Sequence, residues 1–568
     1  MEIRPSQFVI TYGPGAIVET RSGPVVVRSM DRVFQEIGRE PQDFEIVDDR
    51  LSRAELGGAR IARIPTNAEL GLPADDPIYP TERFPFWALC TRHPPDQILF
   101  RVNVGCPRCP PGGPARGPAA IRFVQACPAG HLDDVNWNLI VHQRGGACRS
   151  DHFLWYGGGR ALRHVTLECP RCGSRENFGH AYGRPWPCSG RQPEVAQPRS
   201  PGCTQQARIV QRGAANLHMP VVTSALTILD IPTRLHLVLK DRSVLASAGT
   251  LRRHGILDQP NFLQELQHAG LNHMAHEFVR NSLWVDVRRA LDQLLDQEEG
   301  TPGPVRDEEF ERLVRAATQG APPVPPTSPG SPPMFEVRRA DVRTFPGPTG
   351  RLRFRVTPVS RLRMVLVQTG YQRVDPQTAG TMSVSFDRGG RTWYPGVELF
   401  GEGIFIDVVD RPTIVAGSRA RAWQSLHAAT PNPDPVQHPV HVWWHSLSHR
   451  ILTTLSVDSG YSSTAIRERV YLTFDDEGRA RGGVLLYAVQ PGGDGTLGGL
   501  ISLADSFDRI LDGALEDVAT CSNDPLCAES PSAGADGAAC YSCLLVSETS
   551  CERRNRGLDR RLLVENLP

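Results

Sequence analysis

The stretch GAACYSCLLVSETSCERRNRGLDRRLL, Gly537–Leu563, holds three cysteines and five arginines. Its Cys540 and Cys543 form a CxxC pair, which offers two thiolates to a tetrahedral ion from one tight turn. Two more CxxC pairs stand upstream, Cys106/Cys109 and Cys169/Cys172, with a CxxH pair, Cys90/His93, ahead of the first. One such pair is weak evidence. Three, among 14 cysteines, point to zinc-thiolate sites and to a fold held by metal.

The simplest grouping makes a ribbon of Cys90, His93, Cys106 and Cys109, with Cys127 competing for the place of His93. A second site takes Cys169, Cys172, Cys188 and Cys203. Cys127 and His131 repeat the CxxxH spacing of Cys148 and His152. They either make a third site or leave His131 capping a turn beside Asp133 and Asp134. The C-terminal clasp has five cysteines for four places: Cys521, Cys527, Cys540, Cys543 and Cys551. Cys540 and Cys543 anchor it, and spacing does not rank the others. Catalytic zinc keeps one position open for water. These closed, cysteine-rich sets read as two to four structural zinc ions.

A chain of 568 residues is too long for one core, and two to four domains are expected. The N-terminal MEIRPSQFVITYGPG has no apolar signal core, and no run of about 18 apolar residues marks a membrane span. A cytoplasmic protein without membrane contact is the expectation. The formal charge is zero, so nucleic-acid binding would need local patches. One lysine, Lys240, stands against 61 arginines. A P-loop requires GxxxxGK[ST], and Lys240 lies in LHLVLKDRS with no glycine near it. The chain is expected to carry no catalytic motor of its own.

The predicted fold class is α+β and multidomain, with a zinc-ribbon-like N-terminal half and a mixed α/β C-terminal domain bearing a zinc clasp. Residues 1–83 alternate short β-like runs with turns, and Gly13-Pro14-Gly15 reads as a tight connection rather than a ligand loop. Residues 84–212 are rich in Cys, Gly, Pro and Arg, and are expected to need metal staples because they bury little apolar surface. Residues 213–319 read as strand (225–240) followed by helix (261–295). Residues 320–334 are a linker with seven prolines in fifteen positions, and 335–568 form the mixed α/β domain. Within it VHVWWHSLSHRILTTL predicts a buried helix and RVYLTFDDEGRARGGVLLYAV a hairpin. ISLADSFDRILDGALEDVAT reads as an amphipathic helix with Phe507, Ile510, Leu511, Leu515 and Val518 on one face.

His445 and His449 share a helix face at i and i+4, without the glutamate of HExxH. They read as core or interface histidines. The alternative function is a metal-dependent hydrolase or nuclease centred on them, with Glu468 as a nearby carboxylate. The glycines of QPGGDGTLGGL (490–500), Gly498 and Gly499 among them, either pack closely or approach a phosphate. Arg351, Arg353 and Arg355 share one strand face. With Arg553, Arg554 and Arg556 they are the candidate nucleic-acid contacts, because guanidinium forks suit phosphates.

SQFVITYGPGAIVE, FPFWALC, RFVQACPAGHLDDVNW, QRGAANLHMPVV and GEGIFIDV follow one another in an order that resembles the DrmB family of bacterial DISARM anti-phage systems. HSLSH, SGYSSTAIRERVY, GGVLLYAVQPGGDGTLGGL, CYSC and LDR look like a zinc-binding module shared with MrfA-type helicases. One departure is CTRH, where the family pattern has CxxC; His93 is still a competent zinc ligand. The resemblance implies a partner, a separate superfamily-two helicase of the DrmA kind, and a DNA-binding complex acting on incoming phage DNA.

Overall fold

The structure, a computed structural model, describes residues 4–73, 78–94, 96–110, 119–143, 148–157, 161–195, 202–227, 238–239, 241–268, 273–299, 304–320, 335–338, 340–347, 350–375, 380–409, 417–429, 437–458, 465–491, 499–516, 518–529, 537–547 and 549–565. The proline-rich run beyond Gly320, the glycine loop 492–498, Lys240 and most of the strand expected over 225–240 lie outside them. So does the side chain of Arg351.

Two units divide the chain. One is Met1–Ser224 with Leu366–Val397, and the other is Ala225–Val365 with Glu398–Pro568. This differs from the five-segment reading: 1–83 and 84–212 share a unit, and 335–568 gives 366–397 back to it.

In the first unit an antiparallel sheet runs in the order Arg175–Asn177, Thr166–Glu168, His152–Tyr156, Asp96–Arg101, Trp87–His93, Ala119–Ala120. A second sheet orders Leu132–Asp134, Phe123–Ala126, Gln206–Gln211 and Trp186–Pro187. Between their elements Trp87, Phe123, Trp137, Phe153, Trp155 and Phe178 form one buried aromatic cluster. The rings of Phe123 and Phe178 meet edge-on at 4.8 Å. The cysteine-rich segment therefore has more apolar core than its composition led us to expect. The rings come from short strands, with Phe153 and Trp155 alternating inward from one of them, and from the short helices Trp137–Val141 and Phe178–Tyr182, a pattern that no long periodic run reveals.

The Gly13-Pro14-Gly15 connection is also in this unit. Gly15 has φ +86°, and a Cβ there would come within 2.9 Å of the Arg373 guanidinium and the Tyr371 ring. The fully buried Arg373 donates to Gly15 O at 2.9 Å, Gly130 O at 2.9 Å and Leu217 O at 2.8 Å. Its guanidinium lies over the Tyr371 ring at 4.6 Å. One side chain thus closes three turns.

In the second unit, the helical pattern around 261–295 resolves into Gln259–His268, His273–Asn281 and Trp284–Glu299. With Arg242–Arg253 they enclose Val244, Phe262, Leu266, Val279 and Leu291. The expected hairpin is Arg467–Phe474 against Ala480–Pro491, with Leu399 to Asp407 of the strand Arg391–Val408 pairing its second arm. The long helix Pro439–Asp458 packs on it through Trp443, Trp444, Leu447 and Ile451. Gly482 permits the approach, since a Cβ there would sit 2.4 Å from the Trp444 ring. The amphipathic segment forms a 3-10 turn, Ile501–Ser506, and a helix, Phe507–Leu515, which buries Phe507, Ile510 and Leu511 in the same core.

Candidate metal centres

All 14 cysteines fall into five clusters among the described residues. In the first, Cys90 and His93 end the strand Trp87–His93, where a register irregularity separates them. Cys106 and Cys109 occupy the turn after the paired strand, with Cys109 N donating to Cys106 O at 3.1 Å. His93 Nε2 lies 3.4 Å from Cys106 Sγ and 3.3 Å from Cys109 Sγ, and Cys90 Sγ lies 3.7 Å from Cys109 Sγ. The grouping read from spacing comes together, and the competitor Cys127 sits elsewhere.

The next two clusters correct the sequence reading. Cys188 and Cys203 do not join Cys169 and Cys172; they meet Cys127 and His131. Cys127 Sγ is 3.4 Å from His131 Nδ1 and 3.5 Å from Cys188 Sγ. Asp133 and Asp134, suggested as neighbours of a capping His131, instead face Arg191 at 2.8 Å and 3.6 Å. Cys169 and Cys172 gather with Cys148 and His142. His152, which shares the CxxxH spacing, lies in a strand opposite Phe100 and outside the cluster. His142 had no short-range signal in the sequence. Its Nδ1 is 2.9 Å from Asn138 O, so it donates there, and its Nε2 is buried without a hydrogen-bond partner. An imidazole held this way presents one bare lone pair, as a zinc ligand does.

The fourth cluster is Cys521, Cys527, Cys540 and Cys543. Cys521 and Cys540 are 3.5 Å apart, Cys527 and Cys543 3.7 Å, and Cys540 and Cys543 3.7 Å. Cys551, the fifth candidate for this clasp, is not in it. It lies with His445, His449 and Glu468, all four buried.

A zinc ion at about 2.3 Å from sulfur and about 2.05 Å from nitrogen sets tetrahedral edges of about 3.8 Å (S···S) and about 3.5 Å (S···N). The first four clusters match those edges. Burial pushes the Cys106 thiol up to about 11 and the Cys188 thiol up to about 12, so an adjacent cation is what makes thiolates of them at neutral pH. The Ser174 hydroxyl and N–H lower Cys172 to about 6.

The arginine candidates divide. Arg355 is buried; its Nε donates to Asp407 Oδ1 at 2.9 Å and its Nη1 to Thr318 Oγ1 at 2.6 Å. It is a core ion pair and no phosphate contact, because the strand face it shares with Arg353 turns inward there. Arg355→Ala should cost about 3–5 kcal/mol by leaving the Asp407 carboxylate buried and unpaired, and a lower unfolding midpoint reads this out. Arg353, Arg554 and Arg556 are exposed and Arg553 half-buried. Arg560, in the same C-terminal run, is buried against Asp524.

Residues 447–544 match the family model described as the MrfA Zn-binding domain, and residues 4–219 match one described as a domain of unknown function, DUF8724. The DISARM protein DrmB of Bacillus paralicheniformis is 29% identical over 505 residues, 82% of this chain and 83% of that protein. The chain is similar to DrmB over most of both chains. A solved structure titled "Crystal Structure of DUF1998 helicase MrfA bound to DNA" aligns over 37% of the chain and 22% of the helicase, at 10% identity and TM-score 0.21. The MrfA Zn-binding match gives this chain a zinc-binding domain, and the whole four-cysteine cluster lies inside it. No helix among the described residues is long and apolar enough to cross a membrane.

Proposed function

We propose that this chain is a zinc-stapled, non-catalytic partner of a superfamily-two helicase, within a DNA-binding anti-phage complex of the DISARM type in the cytoplasm. The observation that carries the proposal is the similarity to DrmB over most of both chains. Two features support it. The sequence lacks a P-loop, and its tail matches a domain named for the helicase MrfA. A helicase of the DrmA kind supplies the motor in this reading, and exposed arginines such as Arg554 and Arg556 supply phosphate contacts.

The test is a tagged purification from the native host at high salt, with partners identified by mass spectrometry. A stoichiometric helicase is expected, and its absence overturns the partnership. For the complex, about six phosphate contacts predict a roughly thousandfold loss of DNA affinity between 50 and 200 mM salt. Arg554→Ala and Arg556→Ala should each reduce the log–log salt slope by about one. A flat salt dependence would remove DNA from the proposal. The hydrolase alternative has less support, because Cys551 takes the place beside His445, His449 and Glu468 that a catalytic ion keeps for water.

A further inference from the structure

We propose that His445, His449, Glu468 and Cys551 form a fifth metal centre, a closed zinc site of two imidazoles, one carboxylate and one thiolate. His449 and Glu468 lie inside the residues matched to the MrfA Zn-binding domain and His445 and Cys551 outside them, whereas the four-cysteine cluster lies wholly inside.

The hydrogen bonds define the donors. His445 Nδ1 lies 3.2 Å from Gly557 O and His449 Nδ1 lies 2.8 Å from Leu544 O. Each Nδ1 therefore carries the proton it donates, and each neutral ring turns a bare Nε2 inward. His445 Nε2 meets Glu468 Oε1 at 2.8 Å and Cys551 Sγ at 3.2 Å, while His449 Nε2 meets the same Glu468 oxygen at 3.2 Å. The other Glu468 oxygen accepts from Ser448 Oγ, which fixes the carboxylate. Cys551 Sγ accepts the backbone N–H of Arg553 at 3.3 Å and of Asn555 at 3.2 Å. Cys188 Sγ receives the same kind of bond from Gly190 N at 3.3 Å, so Cys551 is held as the cluster cysteines are. Four groups with electron pairs to donate thus converge, the Cys551 thiol losing its proton when the ion binds.

Burial favours this ion at this place. The four residues are at most 4% exposed. An unbalanced charge so deep is costly. Zinc with two neutral imidazoles, a carboxylate and a thiolate sums to zero, whereas a four-thiolate site carries −2 and a three-thiolate site −1. The neutral set is the buried one, and the thiolate-rich sets reach partly exposed positions. Protons shared among the same groups offer the competing account, since the 2.8–3.2 Å separations also suit hydrogen bonds. That account needs protons placed on the inward-facing nitrogens, or on Glu468 and Cys551, to make hydrogen bonds of these contacts, whereas a zinc ion takes the same electron pairs directly.

Native mass spectrometry of the full chain distinguishes the two. Five zinc ions are expected in the wild type and four in Cys551→Ser. Four ions in the wild type, or five in both proteins, overturns the centre. Should Cys551→Ser fail to fold, cadmium-113 NMR of the cadmium-loaded wild type decides. A fifth resonance, well upfield of the thiolate-rich four, supports the site; four resonances alone refute it.

Discussion

Cys543→Ser is expected to unfold the C-terminal end of the chain rather than to weaken it slightly. The apolar cluster there consists of Cys527, Cys543, Leu544 and Leu558, so two of the proposed zinc ligands are themselves half of its core. Structural zinc contributes about 10–16 kcal/mol of apparent binding free energy in small domains. That is comparable to the whole stability of an ordinary domain, about 5–15 kcal/mol. The described residues of 518–547 are turns and irregular chain with no helix or strand, so the ion carries the packing there, whereas Leu562 and Leu563 beyond it join the main core. The variant should bind one zinc fewer and be cut by protease within this segment at concentrations that spare the wild type. Wild-type protection with the zinc gone would show that the clasp is dispensable for folding. Chelator should produce the same cleavage pattern in the unmutated chain.

Arg373→Met has the second-largest expected effect. The substitution keeps much of the aliphatic volume but strands three carbonyls, of Gly15, Gly130 and Leu217, and leaves Glu194 without its cation at 3.8 Å. Breaking a buried pair from one side costs about 3–5 kcal/mol. For a unit of this size the corresponding drop in midpoint is roughly 10 °C, seen as an earlier transition in tryptophan fluorescence. Arg373→Lys should recover only part of the loss, because an ammonium does not reproduce a planar fork aimed at three acceptors. An unchanged midpoint for Arg373→Met would mean that the three turns are closed by other contacts.

The local half of each metal site was legible in the sequence, and the distant half was not. CxxC and CxxH pairs declare themselves because two ligands share one turn. Which pairs meet depends on strand pairing. Ala126 lies opposite Arg208, which carries Cys127 toward Cys203, while Glu168 lies opposite Leu154, which brings Cys169 toward Cys148. No spacing rule contains those registers. His142 was invisible for a related reason, since its role depends on the helix Trp137–Val141 holding Nδ1 on Asn138 O. The helix and hairpin of the C-terminal region were legible because their apolar periods are long and clean. Spacing did not rank Cys551 against the other candidates for the clasp, because the turn from Cys551 to Gly557 that brings its sulfur and the Gly557 carbonyl to His445 leaves no mark in the spacing.

The division of the chain has a consequence for its synthesis. Arg373 and the rest of Leu366–Val397 belong to the unit that begins at the N-terminus, yet the ribosome delivers them only after 225–365. At about 5–20 residues per second the first unit waits on the order of ten seconds or more between Ser224 and its last strand. During that interval its N-terminal turn lacks the arginine that closes it. The first unit therefore cannot finish before 225–365 of the second have been made, and metal bound at its cysteine clusters would hold the nascent half meanwhile.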